Sequence, residues 1–108
     1  MKYLSRPEEL ILLAIWKMPD DPYGVNIRKY VMDITRKYWS IGAIYVPLDR
    51  LENKGFVRSS RADPTPERGG KSKRFYQLTK SGLEQLEEIR KIYQTLWKDM
   101  SKISIKKI

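Results

Sequence analysis

Ser40-Ile41-Gly42-Ala43-Ile44-Tyr45-Val46-Pro47-Leu48-Asp49-Arg50-Leu51-Glu52-Asn53-Lys54-Gly55 carries the marks of a helix at both ends. Ser40 is a good N-cap, since its hydroxyl can accept from an N–H of the first turn. Gly55 is a good stop, because glycine takes the left-handed conformation without a Cβ clash. Ile41, Ile44, Leu48 and Leu51 keep helical spacing and share one face, read as the core side. The other face carries Ala43, Tyr45, Val46, Asp49, Arg50 and Asn53. It is small near its start, then polar. Such a helix fits a DNA major groove. On this stretch alone an ordinary amphipathic core helix is the favoured reading, and the flanking chain has to change that.

Upstream, Tyr23 to Arg36 reads as a second helix with Ile27, Tyr30, Val31 and Ile34 as its buried stripe. Gly24 lowers helix propensity there, so its place is explained by a neighbour approaching the backbone closely. Arg28 and Lys29 read as solvated charge, with contact to the flanking DNA backbone as the alternative. Lys37-Tyr38-Trp39 is a short link to Ser40, and two helices so joined read as a helix-turn-helix.

Downstream of Gly55 the period changes. Phe56–Ala62 and Ser72–Leu78 are rich in β-branched and aromatic residues and read as two strands. Asp63 to Lys71 holds two prolines and the pair Gly69-Gly70, which makes it a loop. From Arg58 to Lys80 there are seven basic residues and two acids, a net +5 of the chain's +9. Gly69 and Gly70 let backbone amides approach a phosphate, and Arg68, Lys71, Lys73 and Arg74 add charge. Strand alternation puts Lys73 and Arg74 on opposite faces, so at most one of them is expected to point at DNA. A solvated surface hairpin is the plainer reading; the charge beside the candidate recognition helix favours a wing.

The ends of the chain are apolar in a way one small domain does not use up. Ser5-Arg6-Pro7-Glu8 fits a capping box with proline in the first turn. Leu10 to Met18 is apolar around most of its girth, so it needs cover on more than one side. Thr79 caps a last helix in which Leu86, Ile89, Tyr93, Leu96, Met100 and Ile103 form a heptad seam, broadened by Leu83, Ile92 and Trp97. From Lys80 to about Ile103 it would run about 35 Å. A second subunit would cover that stripe.

The 108 residues fit one domain of modest core, with 22 Lys+Arg against 13 Asp+Glu. This balance favours a polyanion, nucleic acid before an anionic membrane surface. Cysteine and histidine are absent, which removes disulfides, thiolate metal sites and the commonest general base. No metal or cofactor is expected. Asp20 and Asp21 adjoin in a turn without other groups to make a catalytic site, so no enzyme is expected. No apolar run nears the roughly 20 residues of a membrane span. Two early acids argue against a signal peptide, and a cytoplasmic location is expected.

In order, the elements are helix, helix, recognition helix, basic hairpin and long amphipathic helix. This resembles the PadR family of transcriptional regulators. The resemblance is carried by Leu4-Ser5 through Ala14-Ile15, Tyr23-Gly24-Val25-Asn26-Ile27, Gly42-Ala43-Ile44-Tyr45, Leu48 through Gly55, Arg68-Gly69-Gly70-Lys71 and Tyr76 through Gly82. It implies a winged-helix homodimer that binds operator DNA, usually as a repressor, with a single C-terminal dimerisation helix. One departure stands out. The family places proline directly after the recognition-helix tyrosine, whereas here Val46 intervenes. Pro47 lacks an N–H and crowds the Ala43 carbonyl, so the helix should kink there or begin its regular part late.

The expected fold is therefore mainly α with a small β-hairpin: a winged helix-turn-helix over residues 1–79 and a dimerisation helix over 80–108. Expected DNA contacts are Ser40, Gly42, Ala43, Tyr45, Arg50, Arg68, Gly69, Gly70, Lys71, Lys73 and Arg74. Expected dimer contacts are Leu86, Ile89, Tyr93, Leu96, Trp97, Met100 and Ile103. Trp16, Tyr93 and Trp97 read first as plain interface packing, and second as a candidate site for a planar aromatic effector. A basic face that meets an acidic protein is the other functional class open to this sequence.

Overall fold

The computed structural model describes residues 3–61 and 73–99. Among these, α1 (Arg6–Lys17), α2 (Gly24–Thr35) and α3 (Ile41–Asn53) precede an antiparallel pair, β1 (Val57–Arg61) and β2 (Arg74–Leu78), and then α4 (Lys80–Trp97). The expected architecture is thus present, with strands slightly shorter than the sequence pattern and an α4 that ends before Ile103. Lys98 leaves helical geometry at ψ 139° and Asp99 turns left-handed at φ 65°. Met100 and Ile103 lie outside the described residues.

Local chemistry sets each helix end. Ser5 and Glu8 form the capping box: the Ser5 N–H donates to Glu8 Oε1 at 2.7 Å and the Glu8 N–H to Ser5 Oγ at 3.3 Å. Pro7 sits in that first turn, where its missing N–H leaves no bond unmade. The Ser40 hydroxyl accepts from the Ala43 N–H at 3.1 Å. Gly55 follows the end of α3 at φ 83°, a conformation that disfavours a side chain. Thr79 Oγ1 accepts from Gly82 N–H and donates to the Gly55 carbonyl, so the cap of α4 is fastened to the exit of α3.

The core lies where the three helices meet the hairpin. Ile11, Leu12 and Ile15 of α1, Ile27 and Val31 of α2, and Ile44, Leu48 and Leu51 of α3 close on Phe56, Val57 and Tyr76. Leu86 joins this cluster from α4. Gly82 lets α4 approach: a Cβ there would overlap the Phe56 carbonyl.

Two residues depart from the expected stripes. Ile41 is 64% exposed, not buried. Pro47 is buried in α3, and with Ile44, Leu48 and Leu51 it rotates the core face away from Ile41. The regular part of α3 does not start late; it runs unbroken from Ile41 with Pro47 inside. Ile34, next to the C-terminal end of α2, is also 64% exposed. It lines a shallow apolar groove with Leu10, Leu13 and Trp16 of α1.

Candidate nucleic-acid interface

The turn between α2 and α3 is fixed by hydrogen bonds before α3 begins. Arg36 ends α2 in the left-handed conformation at φ 59°. Arg28 Nε donates to the Trp39 carbonyl at 2.7 Å, and its guanidinium lies over the Tyr38 ring. Trp39 Nε1 donates to Thr35 Oγ1, which in turn donates to the Val31 carbonyl. Arg28, read from sequence as solvated, thus positions the turn.

The hairpin is tied to both helices of that unit. Ser59 Oγ donates to Glu52 Oε2 of α3 at 2.7 Å. The Tyr76 N–H donates to the Pro22 carbonyl at 2.9 Å, and Tyr23 forms an isolated bridge with Phe75. The Tyr23 and Phe75 rings meet edge to face at 5.9 Å. Asp21 accepts from Gln77, and Gln77 accepts from Arg58, so Arg58 is held on the side of the hairpin away from α3's exposed face.

One groove gathers cationic and aromatic groups at the start of α2. It has about 300 Å³ and is lined by Tyr23, Gly24, Val25, Tyr45, Arg61, Lys73 and Arg74. Lys73 Nζ lies 4.1 Å from the centroid of the Tyr23 ring. Lys73 and Arg74 therefore line the same groove, contrary to the alternation expected from sequence. The reason is that β2 begins at Arg74; Lys73 precedes it, where period-two geometry does not apply. Arg61, a lining residue missed from sequence, pairs with Arg74 across the strands. Strand pairing would have revealed it, had the register been known.

Tyr45 is half-buried and reaches back to α2. A Cβ on Gly24 would overlap its hydroxyl and ring edge, so the close approach expected at Gly24 is made by Tyr45. Below it, the Tyr76 hydroxyl is fully buried with no hydrogen-bond partner among the described residues. Burial pushes its pKa up; the nearby Arg74 guanidinium opposes this, while Tyr45 and Asp49 add to it. Ser40, Gly42 and Arg50 are exposed on α3, and Ala43 is partly covered. Arg68, Gly69, Gly70 and Lys71 lie outside the described residues.

The structure sorts the α4 seam into two kinds of residue. Leu86 and Ile89 are largely buried by this chain itself and form the floor of the groove between α1 and α4. The heptad pattern could not show this, because α1 already occupies that part of the stripe. Leu83, Ile92, Tyr93, Leu96 and Trp97 remain exposed, as do Leu13 and Trp16 on α1. Trp16, Tyr93 and Trp97 line one open groove of about 480 Å³ between α1 and α4. Tyr93 Oη donates to Glu9 Oε1 at 2.8 Å, which links the two helices and raises the tyrosine's pKa.

Among the described residues no cluster of acidic side chains could hold a metal ion, and no helix is long and apolar enough to cross a membrane. A comparison with curated proteins finds no match. Solved structures do match. A PadR family transcription regulator from Clostridium difficile R20291 is 25% identical, with 89% of this chain and 95% of that chain covered and a TM-score of 0.72. The PadR-like transcriptional regulator from Bacillus cereus strain ATCC 14579 is also 25% identical, over 82% of each chain, with a TM-score of 0.67. RosR of H. salinarum shares the fold at 22% identity, over 93% of this chain and 83% of that one, with a TM-score of 0.75. The family profile described as "Transcriptional regulator PadR-like family" matches residues 12–88, which span α2, α3 and the hairpin strands together with the second half of α1 and the first half of α4. The chain belongs to the PadR-like family of transcriptional regulators.

Proposed function

We propose that this chain is a homodimeric repressor that binds a specific operator in double-stranded DNA. The observation that carries the reading is the groove where Arg61, Lys73 and Arg74 meet Tyr45, next to the exposed face of α3. Cations there would hold the phosphate backbone and set the register of the helix, and the outward side chains of α3 would read base edges. Ser40, Gly42, Ala43 and Arg50 belong to that second set or to the adjacent backbone. The exposed apolar side chains of α1 and α4 support dimerisation, which would place two such helices about 34 Å apart on a near-palindrome. Repression rests on the resemblance alone, and a reporter fused to the selected operator tests its sign.

The test is selection of bound fragments from a genomic library, followed by gel shifts at rising salt. A reproducible fragment set and a steep fall of affinity with salt are expected. Random recovery with a flat salt response would favour the acidic protein partner instead. A planar aromatic effector is supported by the groove that Trp16, Tyr93 and Trp97 share. Quenching of tryptophan fluorescence by flat aromatic compounds is expected, and no quenching by any of them removes that part of the proposal.

A further inference from the structure

Val46 is the residue by which this sequence departs from its family's pattern, and it stands half exposed on α3. Ile44, Pro47, Leu48 and Leu51 face the core. Glu52 is held by Ser59, and Tyr45 is folded against Gly24. At about 100° per residue, Gly42, Val46, Asp49 and Asn53 form the centre of what remains, with Arg50 at its edge. Val46 is 49% exposed there, and a Cβ at Gly42, one turn earlier, would meet nothing within 4 Å. The result is an apolar knob beside an open step on the exposed side of α3, one residue on from Tyr45, which lines the cationic groove.

A valine side chain can neither donate nor accept a hydrogen bond, so phosphates and base heteroatoms are not its partners. Of the groups that bases present in the major groove, the thymine C5-methyl is the apolar one. The knob is also stiff. A β-branched residue in a helix is confined largely to one rotamer, and the following Pro47 restricts the backbone of Val46 as well. Little freedom is left to lose when it meets a methyl group.

Resting on the DNA-binding reading above, we propose that Val46 reads a thymine methyl, with Gly42 leaving room for the base edge to approach. Each half-site then contains one thymine whose methyl group is required at a fixed position. The test uses the selected operator with its thymines replaced, one position at a time, by deoxyuridine, which removes the methyl and keeps every hydrogen bond. One position per half-site should lose about fourfold in affinity, the scale of one buried methyl group. In Val46→Ala that penalty should vanish, while Lys73→Ala should weaken both duplexes alike. Circular dichroism should show both variants folded as the parent. A deoxyuridine scan with no sensitive position overturns the inference while leaving DNA binding intact, and so does a full penalty retained in Val46→Ala. Failure to select any operator overturns both readings together.

Discussion

Replacing Glu8 by glutamine removes the charge that Lys54 meets at 2.7 Å across the contact between α1 and α3. Burial pushes this carboxyl up, but the bonds from Lys54 and Ser5 outweigh it and hold the pKa below the ordinary value of 4.5. A carboxylate lowered in the folded state stabilises fully above its ordinary value, and that stability is lost as pH falls through the lower folded value. Glu8→Gln should therefore cost about 1.5–3 kcal/mol at neutral pH, the scale of hydrogen bonds to a charged group. The difference from wild type should shrink as pH drops below 4.5, read by urea unfolding at each pH. The capping half of this role is legible in Ser5-Arg6-Pro7-Glu8. The Lys54 half is not, because its partner lies 46 residues away and only the packing of α1 on α3 brings them together. Gly24 is a similar case: the sequence announces a close approach without naming Tyr45. Gly24→Ala should displace the Tyr45 ring and lower DNA affinity at least fivefold in a gel shift, with the melting temperature falling by only a few degrees.

Among the elements, α4 carries the largest unspent apolar surface. Leu96→Glu places a charge on that surface away from this chain's own core, where Leu96 is 69% exposed. Sedimentation should show a shift from dimer to monomer, with helix content retained. Leu86→Ala, by contrast, cuts into the core and should cost about 2–5 kcal/mol of folding stability. The heptad spacing made both residues look alike, because a repeat shows which side chains share a face and not which neighbour covers them. In α3 the sequence marked both ends correctly through Ser40 and Gly55. It misjudged Ile41, because a proline admitted to the buried side turns the whole stripe, and proline is seldom counted as a core residue inside a helix.

For the molecule as a whole, a formal charge of +9 sets the expected behaviour toward a polyanion. Arg61→Ala and Lys73→Ala should each weaken binding to all sequences about equally and lower the salt slope by about 1, as loss of one phosphate contact does. Arg58→Ala should change neither, since Gln77 holds that side chain on the other side of the hairpin. The order of elements was legible throughout, because caps, turns and periodicity are local. The meeting of Lys73 with Arg61 and Arg74 was not, because it depends on where β2 begins and on its register with β1. The bond from Tyr76 to Pro22 and the bridge from Tyr23 to Phe75 fasten the hairpin to the entrance of α2. If the hairpin and α3 meet DNA as proposed, this fastening would act as a caliper between them. A duplex whose local width does not match would have to bend or twist to be gripped, so the elasticity of the DNA would become part of what this protein selects.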